Sequence, residues 1–98
     1  MTIDKKLNGD ELTVAIAGRL DTVTSPELEK ALDGALDNIK TLIFDMAQLE
    51  YLSSAGLRVL LATQKIMNKQ GSMVVRNSCD AVIEIFDITG FSDILTLE

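Results

Sequence analysis

Thr41-Leu42-Ile43-Phe44-Asp45-Met46 holds an unbroken apolar run. Such a run suits a strand covered on both faces, hence one inside a sheet. A helix is expected next, from about Ser54 to Gln70, with Gly71 as its terminator. A short strand follows over Ser72–Arg76. The three form a βαβ unit, which chain chirality makes right-handed and parallel.

Upstream, Ile3–Leu7 and Leu12–Ala17 read as strands. The second alternates, with Leu12, Val14 and Ile16 on one face. Asn8-Gly9-Asp10 between them is turn chemistry, so the pair is an antiparallel hairpin. Gly18-Arg19-Leu20-Asp21 leads out to a helix opening at Ser25-Pro26-Glu27, with Ser25 as N-cap and Pro26 as first helical residue. Leu28, Ala31, Leu32, Ala35, Leu36 and Ile39 continue as one helical stripe lying on the core. Downstream, a third helix is expected from about Cys79 to Ile88, with Val82, Ile83 and Phe86 inward and Gly90 past its end. Ile94–Leu97 is a last edge strand or a tail. The order β-β-α-β-α-β-α places the chain in the α/β class. It implies a mixed four- to five-stranded sheet with helices packed mainly on one face.

Length and composition narrow the function. At 98 residues the chain is expected to be a single domain, 1–98. Nine basic against fifteen acidic side chains give a net charge of −6, which disfavours nucleic acid and anionic membrane surfaces as partners. No apolar run is long enough for membrane insertion, and the first residues show no secretory signal, so the expected compartment is the cytoplasm. Histidine is absent and Cys79 is the single cysteine. This removes Ser-His and Cys-His nucleophile pairs, imidazole metal sites and thiolate clusters. No glycine-rich phosphate loop or calcium loop occurs. The expectation is a chain with no catalytic residues, no metal and no cofactor. Cys79 reads as a buried core thiol. Asp80, Glu84, Asp87 and Asp93 read as a solvated acidic surface, or as a rim steering a basic partner.

The informative stretch runs from Leu49 to Leu61, with Ser53-Ser54-Ala55-Gly56 where the strand gives way to the second helix. The plain role of Ser53 or Ser54 is an N-cap, with Ala55 and Gly56 small because the helix start packs on a strand. A serine there also meets exposed N–H groups and the positive end of the helix dipole, which tolerate an anion. A phosphate would change the surface by about −1.5 to −2 charges without disturbing the fold. On the helix itself Leu57, Leu60, Leu61 and Met67 cluster on one side, and Val59, Ala62 and Ile66 nearly opposite. Arg58, Lys65 and Lys69 form a basic stripe between them. The second apolar side is covered by a neighbouring helix or left for a partner.

Asp45 through Leu61, together with Gly18-Arg19-Leu20-Asp21 and the late Gly90-Phe91, resembles the STAS domain of bacterial anti-sigma factor antagonists. That family opens its second helix with a D-S-[ST]-G-L turn, and Ser53-Ser54-Ala55-Gly56-Leu57 stands in its place. Ser53 departs from the aspartate of the pattern and Ala55 from its second hydroxyl. The resemblance puts the phosphoacceptor on Ser54, with Ser53 as second candidate. It puts the partner-binding surface on Asp21, Ser53, Ser54, Ala55, Gly56, Leu57 and Arg58. It implies the STAS fold and a partner-switching role. The chain would bind an anti-sigma factor with serine-kinase activity, which holds ATP and ejects the chain by phosphorylating it. A serine phosphatase would reset it. The resemblance extends to STAS subunits of lipid-transporting ABC complexes, where the same helix would be a constant docking surface. A third reading is a carboxylate enzyme in which Asp21, Asp45 and Glu50 converge near the serines.

Overall fold

The computed structural model describes residues 1–98. β1 (Thr2–Asn8) and β2 (Glu11–Leu20) form the expected antiparallel hairpin. Its two-residue turn is Gly9-Asp10, with Gly9 at φ 64°, a left-handed value that glycine adopts freely. The chain then passes through α1 (Ser25–Leu32), β3 (Thr41–Leu52), α2 (Ser54–Gln70), β4 (Ser72–Arg76), α3 (Asp80–Thr89) and a 3₁₀ turn at Phe91–Asp93. The strands lie in the order β1-β2-β3-β4, and β2, β3 and β4 run parallel. Beyond β4, Val75 N donates to Thr96 O at 2.8 Å and Glu98 N to Val75 O at 2.9 Å, a one-residue parallel bridge to Leu97. The Arg76 guanidinium holds Glu98 Oε1 at 2.8 Å, so the outer edge of β4 is covered.

β3 is twice the expected length, and its residue count explains its burial. Leu12, Val14, Ile16 and Leu20 of β2 face the core at even spacing. Along β3 the residues of the same core cluster are Leu42, Phe44, Met46, Leu49 and Leu52, with two steps of three residues, while Ile43 is buried outside that cluster. The register shows why. Leu12 pairs with Leu42 and Leu20 with Leu52, so β3 carries two more residues than β2 over the same length, with shifts between Ala15 and Ala17 and between Gly18 and Arg19. These are β-bulges, each absorbing one residue and restoring the inward face.

Four expectations near the helices need correction. α1 ends at Leu32, because Asp33 turns to an extended conformation and Gly34 follows at φ 76°. Leu36 and Ile39 are buried nonetheless, carried on turns rather than on a helix. Gln70 Nε2 donates to Leu36 O and Ile39 O at 2.7 and 2.8 Å, which satisfies two carbonyls outside any helix ladder. Ser25 is not an N-cap. It is the first residue of α1, and its buried hydroxyl donates to Asp21 O. In α3, Val82 and Phe86 are buried but Ile83 is 37% exposed, and Ile85 packs against the core instead. Cys79 is exposed, not buried. It is the N-cap residue of α3, so its thiol stands at the mouth of the helix, 3.6 Å from Leu49 O.

Candidate functional site

Parallel pairing brings the ends of β2 and β3 side by side. Ser53 N donates to Leu20 O at 2.9 Å, so Asp21 and Ser53 begin adjacent connections. Gly56 fixes how α2 leaves the sheet. A Cβ there would lie 2.7 Å from Leu52 Cδ1 and 2.8 Å from Leu20 Cγ. The first turn of α2 therefore sits directly on the last core residues of both strands, and only glycine allows the approach.

The two serines differ. Ser53 is the N-cap of α2, in extended conformation, and its Oγ accepts from Gly56 N at a long 3.5 Å. Ser54 is the first helical residue, exposed, with a hydroxyl that makes no hydrogen bond within the chain. Arg58 is also exposed, and its place one turn further along α2 puts it on the same side as Ser54. Of the remaining expected contact residues, Ala55 is half-buried, while Gly56 and Leu57 are buried and serve to seat the helix.

Asp21 is committed to its own loop. Its Oδ1 accepts from Val23 N and Thr24 N, each at 3.0 Å. Thr24 Oγ1 accepts from Asp21 N at 2.8 Å, and its hydroxyl lies 2.8 Å from Arg19 O and 3.1 Å from Asp21 Oδ1. The Thr24 backbone N–H is the strongest influence holding the Asp21 carboxyl below its ordinary pKa, with the Thr24 hydroxyl, the Val23 N–H and the Arg19 charge acting the same way. Asp21 thus closes the turn that leads into α1, bonding loop N–H groups ahead of the helix, whose own start has no side-chain cap. Beside this loop the Arg19 guanidinium lies 4.1 Å from the ring centre of Tyr51, a cation–π pair joining β2 to β3 across the site. The sequence signals this pair only through the register, which requires the bulges.

Between α1 with its following turns and α2 lies an open groove of about 900 Å³, reaching Thr22, Ala55 and Arg58 at the serine end. This decides the second apolar side of α2. Val59 is covered, whereas Ala62 and Ile66 stay exposed along the groove, Ile66 to 46%. The three carboxylates do not converge. Asp45 pairs with Ala15 and Arg76 mid-strand, and its Oδ1 accepts from Ala47 N and Asn77 Nδ2. Eight residues of β3, roughly 25 Å at strand rise, separate it from Ser53. The full length of β3 removes that arrangement.

A hairpin, two parallel crossovers and a glycine-seated helix start with paired serines match a known group. Residues 2–98 match the STAS domain family. The chain belongs to that family. The anti-sigma-B factor antagonist of Bacillus subtilis (strain 168) is 33% identical over 98 residues, covering 99% of this chain and 90% of the relative. The crystal structure of an anti-sigma factor antagonist from Mycobacterium paratuberculosis superposes with a TM-score of 0.89 at 28% identity, covering 98% of this chain and 83% of that one. The STAS fold also extends to the phosphorylated form of the Bacillus cell fate determinant SpoIIAA, with a TM-score of 0.77 at 14% identity, covering 99% and 91%. The first two of these relatives are named as anti-sigma factor antagonists, a regulatory role and not a catalytic one.

Proposed function

We propose that this STAS domain is an anti-sigma factor antagonist whose grip on its partner is released by phosphorylation of Ser54. The observation that carries this reading is the Ser54 hydroxyl, exposed and unbonded at the start of α2, next to a serine already used as the cap. The names of the relatives support the partner class, and the phosphorylated form of SpoIIAA supports the kind of modification.

In this reading the partner is an anti-sigma factor with serine-kinase activity that holds ATP. It closes over Asp21, Ser53, Ser54, Ala55 and Arg58 in the cytoplasm and so frees a sigma factor. Ser54 Oγ then attacks the γ-phosphorus of the partner's ATP. The bond to ADP breaks, and the hydroxyl proton passes to a base of the partner or to water. A neutral hydroxyl is desolvated at modest cost once it finds a partner, whereas a phosphate enclosed in the same contact costs several kcal/mol more. A serine phosphatase hydrolyses the ester and restores binding.

The test combines phosphosite mapping with titration. Incubation with the kinase-bearing anti-sigma factor and magnesium ATP should place one phosphoryl group on Ser54. Ser54→Ala should bind the partner as the unmodified chain does. Ser54→Asp should bind about a hundredfold more weakly, equivalent to about 2.8 kcal/mol. Modification at another residue, or equal affinity for all three chains, overturns the proposal.

A further inference from the structure

The two edges of the sheet are treated differently. The outer edge of β4 is closed by the bridge to Leu97 and by the Arg76–Glu98 pair. The outer edge of β1 carries no covering segment. Because Asn8 and Glu11 close a two-residue turn, they form a hydrogen-bonded pair, and such pairs alternate along a hairpin. Thr2, Asp4, Lys6 and Asn8 therefore bond to β2, while Ile3, Lys5 and Leu7 turn their peptide groups outward. Leu7 is 67% exposed at this edge, on the same face as the core residue Leu12 with which it pairs.

We propose that β1 is a self-complementary docking edge for a second copy of this chain. Two β1 strands placed antiparallel about Lys5 pair Ile3 with Leu7 and Asp4 with Lys6, each twice. The outward peptide groups of Ile3, Lys5 and Leu7 then meet those of the second copy in register. Both Asp4–Lys6 pairs fall at the closely spaced, non-hydrogen-bonded positions of the open sheet face. A shift by one pair in either direction sets Asp4 against Asp4 or Lys6 against Lys6, so charge selects a single register. The central Lys5 pair does not oppose this, because Lys5 Nζ is drawn back to Ala31 O at 2.9 Å within its own chain. The product is a continuous eight-stranded sheet. Its contact is smaller than the roughly 1,200–2,000 Å² of a stable complex, so association is weak and salt-dependent. The start of α2 lies at the strand ends rather than on this edge, and both Ser54 residues stay free.

Sedimentation equilibrium over a concentration series tests the pairing. The unmodified chain should dimerise reversibly, more tightly at low salt. Asp4→Lys and Lys6→Asp, both exposed substitutions, should each weaken the dimer about tenfold. The double variant D4K/K6D should restore it, and an equimolar mixture of the two single variants should form a heterodimer. A monomer at every concentration, or a dimer indifferent to the single reversals, overturns the proposal.

Discussion

The starts of α1 and α2 arise from the same topology, each where a parallel strand ends, yet their polar groups have opposite fates. At α1 three polar residues are tied to their own chain: Asp21 binds Val23 and Thr24, Thr24 reaches back to Asp21 and Arg19, and Ser25 is buried on Asp21 O. At α2 the cap bond from Ser53 is long, and the Ser54 hydroxyl is left in solvent. The first start is finished by its own chain. The second leaves hydrogen-bonding capacity for a visitor, which is the physical difference between a structural loop and a recognition surface.

The contrast can be broken first at Gly56. Gly56→Val drives carbon into Leu20 and Leu52, and unfolding by urea should show a loss of about 3 kcal/mol, typical of overpacking. Asp21→Ala should come next, lowering the urea midpoint by more than any change at the serines, since several donors lose their acceptor together. Its charge supplies a pH signature. The folded carboxyl titrates below its ordinary value of about 3.9, so the stabilisation is complete above about pH 4 and is lost as pH falls through the folded value. Stability followed down to about pH 2 should therefore fall more steeply in the unmodified chain than in Asp21→Asn, which keeps an acceptor oxygen but does not titrate. Ser53→Ala removes a poor cap bond and should cost about 0.5 kcal/mol, the low end for N-caps. Ser54→Ala should leave stability within about 0.5 kcal/mol of the parent, as for surface substitutions free of structural roles. A larger loss at Ser54 than at Ser53 would reverse the assignment of cap and free hydroxyl.

Element order, hairpin, parallel crossovers and the glycine at the head of α2 were all legible, because turn chemistry and apolar spacing are local signals. What was not legible depended on pairing. Past Met46 the inward residues of β3 fall three apart, which does not fit strand alternation until the bulges absorb the extra residues. The stripe from Leu28 to Ile39 predicted one long helix, but Leu36 and Ile39 need only burial, and turns hold them as well. Cys79 and Ile83 were misplaced because composition ranks thiols and isoleucines as core residues, while the mouth of α3 and its outer face leave them in solvent. At the site, both serines were found, but only the geometry separates the capping hydroxyl from the unbonded one.

The bulges of β3 also make counting matter more than chemistry. Glu50 is exposed and touches nothing that demands its carboxylate, so many polar residues would serve in its place. Deleting it would remove the bulge itself, because Glu50 is the unpaired residue between the Gly18–Leu49 and Arg19–Tyr51 pairs. Leu49 and Leu52 would then both face the core at ordinary strand spacing, and the serine pair would still follow the same inward residue. Losing a paired residue such as Tyr51 is the change that would exchange inside for outside.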